Sequence, residues 1–152
     1  MAKKAERLVV VDSYALMADL TGQATPIALE TLENIRLGVV KGVIHHLIIY
    51  EIAYHWRRGR LPFHDENELA EFIRTYFITH DPSLEDVLDA AKLKVEGDRL
   101  LRDSGDKDLM HRRISASDAL TLVLAKKLGA PIVSGDKDLV YVAAKIGVKI
   151  IW

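Results

Sequence analysis

Short apolar stretches alternate with longer amphipathic ones along the chain, which indicates strands alternating with helices. "RLVVVD" lacks the apolar–polar alternation of a half-exposed strand, so we expect a central parallel strand that is buried on both faces. Further strands are predicted in "KGVIHH", "FITH", "PIVS" and "VKIIW". The pattern predicts an α/β fold with a mostly parallel sheet, in a single domain that spans residues 1–152.

The longer stretches carry helix signals at their ends, with capping residues at the start and glycine just after the end. Helices are predicted in "PIALETLENIRLG", "LIIYEIAYHWRRG", "ENELAEFIRTY", the stretch from Ser83 towards Ser104, "ASDALTLVLAKKLG" and "DKDLVYVAAKIG". A short polar connection is predicted between "RLVVVD" and Pro26, and "GDKDLMHRR" is predicted as a charged connector.

Composition narrows the chemistry. The net charge is −1, which excludes a general basic surface for nucleic acid, although a local patch stays compatible with it. There is no cysteine, so disulfides, thiolate zinc sites and cysteine nucleophiles are excluded. The apolar run near the N-terminus is too short for a signal peptide, and no segment reaches the length of a membrane span. We therefore expect a cytoplasmic protein without membrane contact.

Two aspartates follow predicted strands. Asp12 ends "RLVVVD", and Asp136 follows "PIVS". Open parallel sheets bind ligands at the carboxyl ends of their strands, so the two carboxylates would share one edge if these strands are neighbours. The alternative is that each aspartate only caps the helix that follows it.

Two further acids stand in positions that admit both a structural and a functional interpretation. Glu51 lies inside the apolar helical run "LIIYEIAY", where a carboxylate needs a cation: an arginine, His55 at i+4, or a metal ion. Asp118 forms the pattern S-x-x-D with Ser115, a variant of the capping box that explains both residues structurally. The same geometry places Asp118 in the first turn of a helix, where it can face the edge of the sheet.

Four converging carboxylates would need divalent cations, because like charges held close together cannot all ionise unaided. Oxygen-only ligands, without cysteine or a histidine cluster, are typical of Mg²⁺ or Mn²⁺ sites. Such sites hydrolyse phosphodiesters, because the metal activates a water and neutralises charge on the scissile phosphate. The adjacent His45 and His46 do not have metal-ligand spacing beyond the loose set of His46, Glu51 and His55, and these histidines are interpreted as ordinary residues.

The segments around these acids resemble the PIN-domain nucleases, and most closely their VapC toxin branch. They are "VVVDSYAL", "IIYEIAY", "RISASDALTLVLAKKLGAPIVSGDKDL" and "GVKII". The third segment is the most specific, because it combines an acid near a helix start, a short strand and Ser/Thr-x-Asp. The family often has Asn where this chain has Tyr14, a departure that bears on substrate choice.

The resemblance implies a five-stranded parallel sheet between helices and RNA cleavage that depends on Mg²⁺ or Mn²⁺. It implies that Asp12, Glu51, Asp118 and Asp136 are the catalytic, metal-binding acids. By the same resemblance, Ser134 supports the site through hydrogen bonds and Asp138 is an additional acid. It further implies a homodimer and an antitoxin protein that blocks the site.

Arginines in two segments are candidate contacts for RNA phosphates. They are Arg57, Arg58 and Arg60 in "YHWRRGR", and Arg112 and Arg113 in "HRR". The structural alternative is a helix C-terminus with cations that match the helix dipole, or plain solvated surface.

Two other functions stay open from the sequence. "GDKDLVYVAAKIG" is similar to the last motif of haloacid-dehalogenase-type phosphatases, but those enzymes usually carry a second Asp where Tyr14 stands. A PIN-like domain can also be a non-catalytic interaction module.

Overall fold

The computed structural model describes residues 7–152 as seven helices and one five-stranded sheet. The strands are β1 (Leu8–Val11), β2 (Lys41–His45), β3 (Phe77–His80), β4 (Ile132–Val133) and β5 (Ile150–Ile151). Their order in the sheet is β3-β2-β1-β4-β5, and every neighbouring pair is parallel. The predicted α/β fold with a five-stranded parallel sheet is confirmed. Residues 1–6 of the predicted domain, and with them the start of the segment tested for a signal peptide, lie outside the described residues.

The helices flank the sheet. They are α1 (Ser13–Leu20), α2 (Pro26–Arg36), α3 (His46–Arg57), α4 (Glu66–Tyr76), α5 (Leu84–Arg102), α6 (Ala116–Leu128) and α7 (Lys137–Ile146). Six of them lie in predicted stretches. The predicted polar connection after "RLVVVD" is wrong, because α1 begins directly after Asp12. Asp12 caps α1, and the buried side chains of Ala15, Leu16 and Ala18 anchor it to the core.

The core has two parts, one on each face of the sheet. Val10 points into one part together with residues of α5, α6 and α7. Val9 and Val11 point into the other part with residues of α1, α2, α3 and α4. Both faces of β1 are therefore covered, which is why its sequence is continuously apolar.

The residues that follow two neighbouring parallel strands lie on the same edge of the sheet. Val11 of β1 pairs in register with Val133 of β4, so Asp12 and Ser134 come next on adjacent strands. Asp12 and Asp136 were expected to share an edge if the strands before them are neighbours, and β1 and β4 are neighbours. Within residues 7–152, no helix is both long and apolar enough to cross a membrane.

Candidate functional site

Asp12 is a buried carboxylate at the end of β1. Only 3% of the residue is exposed. Its Oδ1 accepts a hydrogen bond of 2.9 Å from the backbone N–H of Ala15, which makes it the N-cap of α1. Its Oδ2 accepts a hydrogen bond from the hydroxyl of Ser134. Burial raises the pKa of Asp12 to about 7, although both hydrogen bonds act in the opposite direction.

Ser134 and Asp136 form the turn between β4 and α7. The fully buried hydroxyl of Ser134 accepts a hydrogen bond of 3.1 Å from the backbone N–H of Asp136 while it donates to Asp12. Asp136 caps α7 through Oδ1, which accepts from the backbone N–H groups of Asp138 and Leu139 at 3.0 and 3.2 Å. One serine thus connects two of the predicted acids.

Asp118 lies in the first turn of α6. Its backbone N–H donates to Ser115 Oγ at 3.0 Å, and its Oδ2 accepts from the backbone N–H of Ser115 at 3.1 Å, so the predicted capping box is present. Burial raises the pKa of Asp118 to about 6, and the charges of Asp136 and Glu51 add to the rise. The structural and functional interpretations of this acid are therefore compatible.

Glu51 lies on α3 and has one carboxylate oxygen with a partner and one without. Oε2 accepts a hydrogen bond of 3.1 Å from the hydroxyl of Ser13, while the buried Oε1 has no hydrogen-bond partner in the described chain. Within residues 7–152, Glu51 pairs neither with an arginine nor with His55, whose Nδ1 contacts Arg60 instead. A buried carboxylate oxygen without a partner is costly, and a cation bound at Oε1 of Glu51 would remove this cost.

The four acids act on one another electrostatically. Asp118 and Asp136 both raise the pKa of Asp12, and Glu51 raises that of Asp118. None of the four forms an ion pair with a lysine, arginine or histidine of residues 7–152, whereas other acids of the chain do. Such a set of oxygen ligands suits Mg²⁺ or Mn²⁺.

The carboxylates are not already drawn together as a coordination sphere. In the part of the chain that the structure describes, no group of three or more His, Cys, Asp or Glu side chains is close enough to hold a metal ion. The residue types, their shared edge and the unpartnered Glu51 Oε1 fit a divalent cation.

The additional acid and the arginines occupy different surroundings. Arg112 contacts Asp138 at 3.3 Å, which places this arginine beside the site. Burial, followed by the charge of Asp136, raises the pKa of Asp138, although Arg112 opposes the rise. Arg113 is exposed just before α6.

The arginines at the end of α3 are largely engaged within the chain. Arg57 forms an ion pair with Glu66 and lies over the ring of Trp56. Arg58 donates to the Tyr54 hydroxyl at 3.0 Å. These contacts agree with the structural interpretation of the "YHWRRGR" segment, and they leave its role in RNA binding a prediction.

Two supporting residues were not predicted from the sequence. Ser13 holds Glu51, and His45 ties β2 to the start of α6. Nε2 of the buried His45 lies 2.8 Å from Thr121 Oγ1 and 3.2 Å from the carbonyl oxygen of Ser117. Ser13 follows the first acid directly and was readable as a partner, whereas the contacts of His45 arise only in the folded chain.

Concave shape alone does not locate this site. A hollow of about 820 Å³ is lined by residues of α5, α6 and α7, among them Asp86, Lys92 and Lys127. It contains none of the four predicted acids. The site is defined by its carboxylates and its position at the carboxyl ends of β1 and β4.

Fold and site together define a parallel α/β domain with electrostatically interacting acids near the carboxyl ends of its central strands. The PIN domain family model matches residues 9–145, and the chain belongs to the PIN domain family. The resemblance of the sequence is thereby confirmed. Membership favours nucleic-acid hydrolysis over the haloacid-dehalogenase alternative.

Solved structures share the fold across nearly the whole chain. PAE2754 from Pyrobaculum aerophilum has 23% sequence identity and a TM-score of 0.59 over 95% of this chain and 83% of that one. VapBC2 from Rickettsia felis, bound to a DNA fragment from its promoter, has 14% identity and a TM-score of 0.61 over 94% and 96%. VapC20 from Mycobacterium tuberculosis, a sarcin-ricin loop cleaving toxin, has 14% identity and a TM-score of 0.54 over 87% and 92%. No curated protein matches the chain.

Proposed function

We propose that the protein is a divalent-metal-dependent endoribonuclease of the VapC toxin type. The observation that carries this proposal is a set of four carboxylates that act on one another electrostatically near the carboxyl ends of β1 and β4, none of which has a cationic side chain as partner in residues 7–152. They are Asp12, Glu51, Asp118 and Asp136. A cluster of unneutralised acids is costly to keep, and a divalent cation removes that cost.

The residues of the site would divide the work as follows. Asp12, Glu51, Asp118 and Asp136 hold one or two Mg²⁺ or Mn²⁺ ions, directly or through water. A bound cation supplies activation of a water and neutralisation of charge on the scissile phosphate.

The chain's own groups keep the site in order. Ser134 fixes the orientation of Asp12 and of the turn that carries Asp136, and Ser13 fixes Glu51. With a pKa near neutral, the carboxyl group of Asp12 can hold a proton, which it would have to release in order to hold a cation. The expected RNA products carry 5′-phosphate and 3′-hydroxyl ends.

RNA as substrate and an antitoxin as partner are supported by the names of related folds. VapC20 is described as a sarcin-ricin loop cleaving toxin, and VapBC2 as bound to a DNA fragment from its promoter. By analogy, this chain would cleave RNA in the cytoplasm, form a homodimer, and be blocked by a small antitoxin protein. Size-exclusion chromatography with light scattering tests the dimer, and co-purification from the native host tests the antitoxin.

Cleavage assays with a matched pair of variants test the nuclease proposal. The wild type should cleave short single-stranded RNAs with Mg²⁺ or Mn²⁺ and should stop when EDTA is added. Asp118→Asn should lose at least about 100-fold in rate, because loss of a metal ligand exceeds the usual effect of its supporting groups. Asp65→Asn is the control, because Asp65 caps α4 through the same kind of bond, to the backbone N–H of Glu68, away from the acids. Equal cleavage by wild type and Asp118→Asn would rule out the proposal.

A non-catalytic interaction module is the second candidate, since the acids are not prearranged as a coordination sphere. Titration calorimetry with Mn²⁺ separates the two. Millimolar or tighter binding that is lost in Asp118→Asn supports the nuclease, and absence of binding at millimolar Mn²⁺ supports the module.

A further inference from the structure

The indole of Trp152 packs against the turn that carries the site. Gly135 lies between Ser134 and Asp136, and a Cβ atom on it would lie 2.3 Å from Cε2 and 2.5 Å from Nε1 of Trp152. The φ angle of Gly135 is not in the left-handed region, so the backbone does not demand glycine there. Glycine is required by the indole of Trp152, because any side chain at position 135 would displace this ring.

Trp152 in turn contacts Tyr14. Their ring centroids are 5.4 Å apart and the rings are inclined at 72°, an edge-to-face arrangement that is favourable for aromatic pairs. Trp152 is partly buried against the core part that contains Val11 and Val133. Tyr14 is 45% exposed, so its ring is held from one side and open to solvent on another.

The Tyr14–Trp152 pair borders the acids on the side of β1 and β4. Tyr14 follows Ser13, which binds Glu51, and comes two residues after Asp12. Trp152 covers the residue that precedes Asp136. An exposed aromatic ring in a fixed orientation is therefore located next to the place where a phosphodiester would bind.

We propose that Tyr14, oriented by Trp152, is a stacking subsite for an unpaired RNA base adjacent to the scissile phosphate. The inference rests on the proposed function, because it needs a phosphodiester bound at the acids. Every base has a π-face, so an aromatic platform accepts different sequences while it fixes the position of the nucleotide. Stacking also adds affinity that does not depend on charge, which suits a chain with a net charge of −1.

A cycle of protein and RNA changes tests the subsite. All proteins keep the four acids, Ca²⁺ replaces Mg²⁺ throughout as another cation that takes oxygen ligands, and gel electrophoresis verifies that the RNA stays intact during the measurement. Binding of a labelled oligoadenylate is compared with binding of an oligomer of the same length and charge whose nucleotides lack bases. Tyr14→Leu should bind oligoadenylate roughly 5- to 100-fold more weakly and the abasic oligomer unchanged, because only stacking is lost.

Three further variants test the ring of Tyr14, its orientation by Trp152 and a control tyrosine. Tyr14→Phe keeps the ring and should keep the affinity for oligoadenylate. Trp152→Leu removes the residue that orients the ring and should lose part of the base-dependent affinity. Tyr50→Leu removes another exposed tyrosine, which stacks on Tyr54 with a centroid distance of 6.4 Å, and should leave both affinities unchanged.

The outcomes separate the subsite from the nuclease. Equal losses for both oligomers in Tyr14→Leu, no loss at all, or a base-dependent loss in Tyr50→Leu would each overturn the subsite. The subsite would also be overturned if the protein with Tyr14 intact bound oligoadenylate no more tightly than the abasic oligomer. If the chain with Asp118 intact cleaves RNA while the cycle shows no coupling, the proposed function stands and only the subsite fails. Base-dependent binding without any cleavage by the chain with Asp118 intact would show that Tyr14 stacks on a base but would contradict the nuclease, and with it the position of the subsite beside a scissile phosphate.

Discussion

The hydroxyl of Ser134 donates its hydrogen bond to Oδ2 of Asp12 across 122 positions of sequence. The two residues meet because β1 and β4 are parallel neighbours whose last residues pair in register. The same hydroxyl accepts from the backbone N–H of Asp136, so one buried serine connects two acids that follow two neighbouring strands. A substitution at Ser134 therefore changes how Asp12 and Asp136 are held, while every carboxylate of the site remains.

Ser134→Ala is expected to weaken metal-dependent activity while all four acids remain. The hydrogen bond from Ser134 lowers the pKa of Asp12, so its loss should favour the protonated form, which binds a cation poorly. Supporting groups of metal ligands typically contribute about 10- to 100-fold in affinity or activity, and we expect a loss in that range. Ser134→Thr keeps the hydroxyl and should retain most of the activity. Full activity in Ser134→Ala would contradict a supporting role.

Glu51→Gln is expected to remove the thermal response to metal but to preserve folding. The amide oxygen can still accept from Ser13, while the negative charge near Asp118 is lost. A ligand at about 100 times its dissociation constant stabilises the folded state by about 2.7 kcal/mol, so the wild type should melt at a higher temperature in Mg²⁺. Glu30→Gln, on the exposed side of α2, should respond like the wild type. An unchanged response in Glu51→Gln would remove Glu51 from the metal site.

The sheet was predictable because its strands are marked by composition. A continuously apolar "RLVVVD" occurs where both faces are covered, and Val9 and Val10 do point into different parts of the core. Helix α1 was not predictable from the apolar pattern, since "SYALMADL" is short and adjoins polar residues. Its strongest signal was Asp12, which is a helix cap as well as a candidate ligand.

The site was predictable as a list of residues and not as a geometry. Asp12 and Asp136 each cap a helix and Asp118 completes the capping box of Ser115, so their local sequence looks the same with or without a function. Glu51 was distinctive because a carboxylate in an apolar run needs an explanation. Contacts between distant segments, such as Trp152 against Gly135, leave no local pattern and emerge only from the fold.

His45 and Thr121 are expected to be energetically coupled. Nε2 of His45 lies near two oxygens, and burial lowers the pKa of its imidazole to about 4, so the ring is neutral and Nε2 carries the hydrogen. Thr121 donates its own hydroxyl to the carbonyl of Ser117 at 3.0 Å, which leaves its oxygen free to accept from His45. Removal of either partner leaves a buried polar group unsatisfied.

Urea denaturation of His45→Phe, Thr121→Val and the double variant measures this coupling. Each single change should cost about 1–3 kcal/mol of unfolding free energy, and the double variant should cost about 0.5–3 kcal/mol less than the sum. His46→Ala is the control, since its half-exposed side chain should matter by less than about 0.5 kcal/mol. Additive single effects would show that the two side chains act independently.

Stability of the metal-free protein is expected to depend on pH in a way that Mg²⁺ reverses. The pKa values of Asp12 and Asp118 are raised from 3.8 to about 7 and about 6, so the folded state binds more protons than the unfolded state between about pH 4 and 7. The contribution of these two acids is fully present below pH 4 and is lost as pH rises through 6 and 7. His45 acts in the opposite direction, because its lowered pKa makes stability fall as pH drops from about 6.5 towards 4.

The contribution of Asp12 and Asp118 to the pH dependence can be separated from that of His45, because only the two aspartates are expected to respond to Mg²⁺. Urea denaturation in EDTA and in saturating Mg²⁺, over this pH range, should show the larger stabilisation by metal at pH 7, where the carboxylates repel one another most. Asp118→Asn should reduce that stabilisation and flatten the loss of metal-free stability towards neutral pH, because one of the titrating groups is gone. His45→Phe should leave the response to Mg²⁺ intact, since the imidazole contacts α6 through Thr121 and the Ser117 carbonyl and not through a carboxylate. Identical pH profiles with and without Mg²⁺ would show that Asp12 and Asp118 do not belong to a cation site.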